Sequence, residues 1–455
     1  MAGLLNVLSA IEERMAEPTA KGLATAVGRT VRDGLLAPGD KLPPIRTVAA
    51  QLGLSPTTVS AAWSLLARSG TVQTDGRRGT VVTAHRAGPA RYRRVLDPSD
   101  AGGGTAFTLD LSTGTPDPGL LPDLTAALRR IEPPAEPATY LDDPVLPALA
   151  EILRADWPFA AERLTVVDGA MDALQLIAAT HLRFGDRVAV EQPCFPPLLD
   201  LLESAGAVAV PFGLDDDGPL PAELGAAVAS GVRAVFVQPR GQNPTGASMT
   251  AARVDELAAV LRDTDVLIVE DDSAGAVAST PALSLGAMLP GQTLHVRSYS
   301  KSHGPDLRLA ALGGTGELVD PLVDRRFLGQ GWTSRLLQSV LVDLLTHAAS
   351  VRSVERAQRA YARRRASVVD ALARAGVQVA GKDGLNIWLP VQDESAALLR
   401  LATQGIGASA GGPFWVGPAG APHLRVTVGL IGSAHRVVAA ALARAALSGP
   451  RPAPR

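Results

Sequence analysis

Several apolar runs in the second part of the chain end abruptly in polar residues, and this pattern limits the possible folds more than any other feature. The runs are "VAVEQPCF", "AVFVQPRGQNPTG", "VLIVEDDS" and "LHVRSYSK", and helical runs rich in Ala and Leu lie between them. Short buried strands that alternate with helices are typical of a mainly parallel sheet. We therefore predict an α/β domain over residues 107–448.

The polar residues at these strand ends are candidates for one binding site, because ligands of an open parallel sheet bind beyond the carboxyl ends of its strands. The residues that could face this crevice are Phe195, Asn243, Asp271, Ser298, Ser300 and Lys301. Each also has an ordinary structural interpretation: phenylalanine fits a core, "NPTG" forms turns, and acidic residues often end strands. Only the set as a whole points to a function.

Together these residues match the needs of pyridoxal phosphate, which requires an amine for its aldehyde, an anion for its ring nitrogen, donors for its phosphate and a ring to stack on. Lys301 would form the Schiff base, and Asp271 would hold the proton on the ring nitrogen. Asn243 could donate to the ring hydroxyl, and Phe195 would stack on the ring.

The phosphate of this cofactor needs hydrogen-bond donors and positive charge. Ser298, Ser300 and Arg308 would supply them from one stretch, "RSYSKSHGPDLR". The free N–H groups that open the helix in "DGAMDALQLIAA", near Ala170 and Met171, would add to them. The sequence therefore predicts a phosphate site between these two segments.

The first part of the chain has a different pattern, in which short helical runs are separated by helix breakers. Breaks at Pro38, Gly53 and Gly70 predict three short helices. Between the second and third helix, "LGLSPTT" places Gly53 to end one helix, Ser55 to cap the next and Pro56 in its first turn. This is the turn of a helix-turn-helix.

Two runs rich in Val and Thr in "TVQTDGRRGTVVT" predict a β-hairpin, so that residues 1–84 form a winged helix-turn-helix domain. In such a domain the third helix enters the major groove of DNA, and arginines at the hairpin tip could enter a minor groove. The candidate DNA-contacting residues are Arg46, Ser55, Thr57, Thr58, Ser60, Arg77, Arg78 and Gly79. The alternative is a small structural domain with ordinary surface arginines.

The charge distribution agrees with a polyanionic partner for the first part only. Residues 1–94 hold 13 Lys and Arg against 6 Asp and Glu, whereas the rest of the chain holds 30 against 39. The glycine- and arginine-rich residues 85–106 show no apolar period, and we interpret them as a linker.

Composition also narrows the remaining possibilities. A single cysteine, Cys194, excludes an intrachain disulfide, and no metal-binding spacing occurs, so no metal is expected. No apolar run approaches the roughly 18 residues of a membrane span, and Glu12 and Glu13 interrupt the early apolar stretch. We expect a cytoplasmic protein without a membrane partner.

The segment "APGDKLPPIRTVAAQLGLSPTTVSAAWSLLARSGTVQTDGRRGTVV" resembles the winged-helix domain of GntR-type transcription regulators. The order and spacing of the strand-end residues resemble the fold-type I aminotransferases, which use pyridoxal phosphate, over residues 107–448. The whole chain therefore resembles the MocR subfamily of GntR regulators, which join these two domains.

This resemblance implies a fold-type I transferase domain with a smaller C-terminal subdomain, and a head-to-tail homodimer with the site at the subunit interface. It implies that Tyr140 of "TYLDDPVLPAL" reaches the partner's phosphate and that Arg425 of "HLRVTVG" grips the carboxylate of an amino acid. In two places the chain departs from its relatives: Ser273 and Ala274 stand where a tyrosine is usual, and Val145 stands where a glycine is usual.

The leading hypothesis is a transcription regulator that binds double-stranded DNA through its winged helix. Its large domain would sense pyridoxal phosphate, an amino acid or an amine. The alternative is an active pyridoxal-phosphate-dependent aminotransferase that carries a DNA-binding appendage, because Lys301, Asp271 and Arg425 could support transamination. A third interpretation, a DNA-binding protein with a cofactor-free scaffold, would leave the lysine and its partners as relics.

Overall fold

The structure is a computed structural model that describes residues 2–15, 17–32, 35–37, 39–68, 71–75, 79–82, 91, 107–132, 139, 142–417 and 420–449. The chain divides into two compact units, residues 1–90 and 91–455. Of the predicted linker only Arg91 is described, and its main-chain N–H donates to the carboxylate of Asp200 at 3.1 Å within the second unit. The linker boundaries remain a prediction.

The first unit is a helical domain with a hairpin. Its helices are α1 (Ala2–Arg14), α2 (Ala20–Arg32), α3 (Ile45–Gln51) and α4 (Pro56–Arg68). The last three are the predicted helices, whereas α1 was not anticipated from the sequence. Leu8 and Ile11 of α1 are buried in one core with Leu23, Val59 and Trp63, and their three-residue spacing was the signal for this helix.

The turn between α3 and α4 has the predicted geometry. Gly53 adopts a left-handed conformation with φ of 63°, which glycine allows without steric cost. Ser55 Oγ accepts a hydrogen bond from the N–H of Thr58 at 3.0 Å, and α4 begins at Pro56. The predicted helix-turn-helix is confirmed.

The hairpin consists of β1 (Val72–Asp75) and β2 (Gly79–Val82), which pair antiparallel with Val72 opposite Val82. Lys41 forms an additional bridge to Val81, so the hairpin is joined to the segment before α3. This hairpin is the predicted wing. Two predicted DNA-contacting residues at its tip, Arg77 and Arg78, lie outside the described residues.

The second unit is built on an eight-stranded mixed sheet in the order β4-β11-β10-β9-β8-β5-β6-β7. Its strands are β4 (Arg163–Val167), β5 (Arg187–Gln192), β6 (Val208–Asp215), β7 (Gly218–Pro219), β8 (Ala234–Val237), β9 (Leu267–Asp272), β10 (Thr293–Ser298) and β11 (Ala310–Gly314). Within it β11 pairs antiparallel with both neighbours, and β7 pairs antiparallel with β6. The other strands are parallel, as the sequence predicts.

Helices cover both faces of this sheet. From residue 124 to residue 327 the chain forms α5 (Leu124–Arg130), α6 (Pro147–Ala155), α7 (Ala170–His181), α8 (Pro196–Ser204), α9 (Pro221–Ala229), α10 (Ala251–Leu261) and α11 (Gly316–Phe327). Successive strand residues pack on opposite faces: Val269 and Val296 pack with α7 and α8, whereas Ile268 packs with α9 and α10. Both faces are therefore buried, which explains the continuous apolar runs in the sequence.

The chain continues through α12 (Arg335–Thr346) and the 27-residue α13 (Ala348–Arg374) into a smaller part. It contains β12 (Ile387–Pro390), α14 (Glu394–Ala402), β13 (Ile406–Gly407), β14 (Ser409–Ala410), β15 (His423–Val426) and α15 (His435–Ala446). β12, β15 and β14 form an antiparallel sheet, and β13 pairs with β3 (Leu109–Asp110). The predicted α/β fold with a smaller C-terminal subdomain is confirmed. None of the described helices is both long and apolar enough to cross a membrane.

Candidate functional site

The strand ends bring Asp271 and Lys301 to the same edge of the large sheet. β9 and β10 are parallel neighbours, and Asp271 lies opposite Val296 in their register. Lys301 follows the last residue of β10, Ser298, by three positions. The two residues therefore lie at the carboxyl edge, where the sequence predicts the crevice.

Asp271 is a buried carboxylate with one oxygen available. It is 5% exposed, and its Oδ2 accepts a hydrogen bond from Gln238 Nε2 at 2.7 Å. Oδ1 has no hydrogen-bond partner among the described residues. Burial raises the pKa of Asp271 to about 6, against the lowering effect of the hydrogen bond from Gln238.

Lys301 is a buried amine whose Nζ donates to the carbonyl of Gly114. Burial lowers the pKa of Lys301 to about 8, and the positive charge of Arg425 lowers it further, while Asp271 acts in the opposite direction. Lys301 in turn lowers the pKa of Asp271. Since both side chains lie at the carboxyl edge of neighbouring parallel strands, we assign them to one candidate site.

These two groups fit the requirements of pyridoxal phosphate. An unpartnered buried carboxylate oxygen suits a protonated ring nitrogen. An amine with a lowered pKa is more often neutral, and therefore nucleophilic, at pH 7. Both groups belong to the described chain, and their pairing is the arrangement that the sequence predicts.

Gln238, which follows β8, connects several site residues and was not singled out from the sequence. Besides Asp271, its Nε2 contacts Ser273 Oγ at 3.1 Å, and its Oε1 accepts from the main-chain N–H of Asn243 at 2.7 Å. Its own N–H donates to the carboxyl group of Glu191 at 3.1 Å, and burial raises the pKa of Glu191 to about 8. The available signal was its place at the end of the run "AVFVQ".

Asn243 joins this network through its main-chain N–H, whereas its side chain contacts Asn386. Its Oδ1 accepts a hydrogen bond from Asn386 Nδ2 at 3.4 Å. This contact leaves the amide nitrogen of Asn243 as the group suited to donate to a ring oxygen.

Arg308, one of the predicted phosphate-binding residues, lies at the beginning of α7. Arg308 has φ of 51°, and its Nη2 donates to the carbonyl of Asp168 at 2.9 Å. A Cβ atom on Gly169, which precedes α7 with φ of 102°, would lie 3.1 Å from that same nitrogen. The guanidinium thus lies beside Gly169, the residue before Ala170 and Met171 at the start of α7, and glycine at 169 allows the close approach.

Of the two predicted serines, Ser298 is the last residue of β10 and Ser300 lies just after the strand. Ser298 is buried, and its Oγ accepts a hydrogen bond from the N–H of Ser300 at 3.3 Å. Ser300 is half-buried. Phe195 immediately precedes α8, and its ring packs against the core while remaining partly exposed, which suits either a stacking or a core role.

Arg425 lies in β15 and is 3% exposed. Its Nη2 donates to the carbonyl of Ser112, and its guanidinium lies 5.5 Å from the ring centre of Phe414. A Cβ atom on Gly114 would lie 2.9 Å from Nη1. The segment at residues 112–114 therefore contacts both predicted cations, Arg425 and Lys301.

Tyr140, which the resemblance assigns to the partner's phosphate, lies outside the described residues. The neighbouring Val145 is 4% exposed and belongs to a buried apolar cluster. Its φ is not in the left-handed region, so glycine is not required there. The departure at 145 is explained by burial.

The described DNA-contacting candidates lie at the surface of the first unit. Ser55 Oγ contacts the hydroxyls of Thr57 at 2.7 Å and Thr58 at 2.8 Å, so these three residues form one hydroxyl network at the start of α4. Arg46, Thr57 and Ser60 are exposed. Gly79 is also exposed and begins β2 with φ of 91°.

Two family models match the chain. The model of bacterial regulatory proteins of the gntR family matches residues 19–82, and the model of aminotransferase class I and II matches residues 108–442.

Relatives with known names match nearly the whole chain. The vitamin B6 salvage pathway transcriptional repressor PtsJ of Salmonella typhimurium is 35% identical over 90% of this chain and 94% of its own length. The pyridoxine biosynthesis transcriptional regulator PdxR of Corynebacterium glutamicum is 28% identical over 88% and 90%. The transcriptional regulator TauR of Rhodobacter capsulatus is 29% identical over 84% and 87%.

Solved structures match the large unit in fold. The α-aminoadipate aminotransferase LysN of Thermus thermophilus, in complex with N-(5'-phosphopyridoxyl)-L-leucine, is 22% identical with a TM-score of 0.67, covering 78% of this chain and 95% of its own. An archaeal alanine:glyoxylate aminotransferase is 20% identical with a TM-score of 0.70, covering 78% and 94%. At these identities the structures establish the fold.

Proposed function

Since the chain belongs to the MocR subfamily of GntR-type transcription regulators, whose large domain binds pyridoxal phosphate, we propose that its DNA binding responds to that cofactor held at Lys301. The observation that carries the proposal is the placement of Lys301 and of Asp271, whose buried Oδ1 has no hydrogen-bond partner among the described residues, at the carboxyl edge of two neighbouring parallel strands. Bound pyridoxal phosphate supplies an aldehyde that captures primary amines.

The cofactor-binding residues have distinct roles in this proposal. Lys301 would hold the cofactor through its aldehyde, and Asp271 would keep the ring nitrogen protonated through its available Oδ1. Gln238 holds the other carboxylate oxygen and thereby orients Asp271. Asn243 donates to the ring hydroxyl, and Phe195 covers one ring face.

The phosphate is met by two segments. Arg308 supplies charge beside the opening of α7, where Ala170 and Met171 offer main-chain N–H groups. Ser298 and Ser300 add donors from the end of β10 and the residues after it. These contacts position the phosphate without taking part in covalent chemistry.

The effector is pyridoxal phosphate itself, or an amino acid or amine that reacts with it. The names of PtsJ and PdxR refer to vitamin B6 salvage and pyridoxine biosynthesis, which supports the cofactor as the signal. A carboxylate on an amino acid would bind the buried guanidinium of Arg425 in place of the Ser112 carbonyl. The effector must bind the DNA-competent and incompetent arrangements unequally, because otherwise no population shifts.

The winged helix contacts DNA through the first turn of α4 and the hairpin tip. Thr57, Thr58 and Ser60 meet phosphates or base edges, Arg46 meets the backbone, and Ser55 keeps its capping bond. Arg77, Arg78 and Gly79 contact a minor groove. This role places the protein with the chromosome, in the cytoplasm.

A head-to-tail homodimer completes the site, with Tyr140 of one chain reaching the phosphate held by its partner. Large apolar side chains at the surface between α11 and α12 support a subunit contact: Phe327 is 49% exposed, Leu328 89% and Leu336 58%. Sedimentation of the full chain tests this part, since Leu328→Glu should shift a dimer toward the monomer. An exposed leucine elsewhere, Leu399, provides the control substitution.

The match to named transcription regulators over 90% of the chain favours this function over a working aminotransferase. One sample can test the choice: visible absorbance reports cofactor attachment, and a gel shift on the chain's own upstream DNA reports the regulator. Repeated turnover after addition of amino acid and keto acid, with no effect of either ligand on DNA affinity, would instead support the enzyme.

A further inference from the structure

A second cavity lies on the opposite face of the large sheet from the candidate cofactor site. Its volume is about 290 Å³, and its polar lining includes Asp156, Arg240, Arg297, Tyr299, His303 and Gln358. The residues to which we assign the cofactor aldehyde and ring nitrogen, Lys301 and Asp271, are not among its lining residues.

Strand alternation separates the two sites. Asp271 and Ser298 share the parity of Val269 and Val296, which pack with α7 and α8. Arg297 has the opposite parity and pairs in register with Asp272. The cavity and the predicted phosphate site adjoin at Ser298, the last residue of β10, whereas the other lining residues of the cavity are distinct from the predicted cofactor contacts.

Two buried arginines dominate the charge of this cavity. Arg240 donates to both carboxylate oxygens of Asp272, at 2.8 and 2.7 Å. Arg297 approaches the same carboxylate with its Nε at 4.0 Å, beyond hydrogen-bond distance. That Nε has no hydrogen-bond partner in the part of the chain that the structure describes. The second arginine is thus not satisfied by Asp272.

The remaining charge on Arg297 is balanced at the surface. Its Nη1 donates to Asp156 Oδ2 at 2.9 Å, and its Nη2 donates to the main-chain carbonyl of Asp156 at 2.8 Å. The Asp156 side chain is 86% exposed, whereas that of Arg297 is 8% exposed, so only the main-chain bond holds Arg297 to a fixed partner. A buried guanidinium needs a closely held anion, since an unpaired buried charge is costly. A solvated carboxylate can leave at little cost, so Arg297 can exchange Asp156 for another carboxylate.

The other walls indicate what that anion is attached to. Ile152, Leu153 and Leu345 give the cavity apolar sides, and the hydroxyl-bearing Tyr299 adds a polar position. Burial lowers the pKa of His303 to about 4, so this side chain is neutral at pH 7 and adds no charge. A volume of about 290 Å³ is enough for a small organic molecule rather than a single water.

We propose that this cavity binds a small monocarboxylate with a hydrocarbon body, whose carboxylate takes the place of Asp156 on Arg297. A phosphate dianion fits less well, because the buried carboxylate of Asp272 opposes a second negative charge. The ligand is a second input to the regulator, independent of the amine at 301.

The experiment titrates the full chain, loaded with cofactor, with benzoate, hexanoate and 4-methylpentanoate. The neutral matches are benzamide and hexanamide, and inorganic phosphate tests the other anion. Calorimetry measures binding, and tryptophan fluorescence reports the site because Arg297 lies 5.0 Å from the ring centre of Trp157. At least one carboxylate should bind, at least tenfold more tightly than its amide and than phosphate.

Two substitutions test the location. Arg297→Gln removes the charge, and Ala276→Phe blocks the mouth from an exposed position that leaves the core intact. Each should weaken carboxylate binding at least tenfold, and Ala222→Phe, on the exposed side of α9, controls for an added surface ring. Thermal unfolding establishes that Ala276→Phe is folded.

A third substitution separates this cavity from the carboxylate site proposed above. Arg425→Gln should leave binding of the carboxylate probe within about twofold, because Arg425 lies in β15 and not in this cavity. Loss of binding in Arg425→Gln, full binding in Ala276→Phe, equal binding of the amide or phosphate, or no binding by any carboxylate would each overturn the proposal.

Discussion

The two units keep their candidate functional groups in opposite surroundings. In the first unit Arg46, Thr57 and Ser60 are exposed, and the hydroxyls at the start of α4 bond mainly to one another. In the second unit Asp271 is buried and Lys301 is half-buried, and the charge of each shifts the pKa of the other. A DNA backbone is a large ligand that meets a surface, whereas a small cofactor needs an enclosed site with preset charges.

This difference determines how each unit responds to change. DNA affinity is the sum of many surface contacts that each contribute modestly, so the loss of one contact weakens binding by a limited factor. A buried pair depends on both members, so the loss of one abolishes or strongly weakens its function. The predictions below test that contrast, beginning with the largest effect.

Replacement of Lys301 should remove covalent cofactor attachment completely. Lys301→Ala has no amine for the aldehyde, and the visible absorbance of the loaded protein should disappear after dialysis. Lys382→Ala is the matched control, because Lys382 is a partly exposed lysine paired with Asp217. Retained absorbance in Lys301→Ala would place the attachment elsewhere.

Asp271→Asn should lower cofactor affinity by about 10- to 100-fold, because hydrogen bonds to charged groups contribute about 1.5–3 kcal/mol. The titration of absorbance against added pyridoxal phosphate measures the affinity. Ser273→Ala removes only a neutral contact to Gln238 at 3.1 Å and should change affinity less than about tenfold. If both variants behave alike, the carboxylate does not hold the ring.

The rate of cofactor attachment should depend on pH in a way set by Lys301. Its pKa is lowered to about 8, and only the neutral amine attacks an aldehyde. The rate should therefore rise about tenfold between pH 7 and 9 and then level off. Stopped-flow absorbance measures it. If the rate instead rises about 100-fold between pH 7 and 9 and keeps rising above pH 9, Lys301 would be an ordinary lysine with a pKa near 10.4.

Arg46→Ala should weaken operator binding by roughly tenfold and reduce the slope of log affinity against log salt by about 1, because one phosphate contact is lost. Gel shifts at several salt concentrations measure both. Arg29→Ala, an exposed arginine on α2, is the control. An unaltered shift in Arg46→Ala would contradict the placement of α3 beside DNA.

The smallest effect is expected at the cap of α4. Ser55→Ala removes the bond to the N–H of Thr58 and should cost about 1 kcal/mol, or roughly fivefold faster hydrogen exchange in residues 56–68. Exchange followed by mass spectrometry measures it, and Ser64→Ala, farther along the same helix, serves as the control. Unchanged protection in Ser55→Ala would mean that the cap does not stabilise α4.

The features that were predictable from the sequence depend on local chemistry. Gly53, Ser55 and Pro56 define their turn without outside help, and the parallel strands place Asp271 and Lys301 at one edge through the alternation of elements. Valine can replace the usual glycine at 145, because the φ of Val145 is not in the left-handed region and the backbone there does not need glycine.

The remaining features depend on packing between distant segments. Lys301 contacts the carbonyl of Gly114 across 187 positions, and Arg425 contacts that of Ser112 across 313. Gln238 acquires its role only when β8 lies beside β9. A single sequence carries no signal for such pairings, and α1 was missed because its apolar stretch was considered only as a possible leader.

The most direct test of the account follows DNA affinity and visible absorbance together while pyridoxal phosphate is added to the cofactor-free full chain. We predict that both signals change with the same midpoint in the wild type and that neither changes in Lys301→Ala. A DNA affinity that stays constant as the absorbance saturates, or that changes equally in Lys301→Ala, would contradict a regulator controlled through the amine at 301.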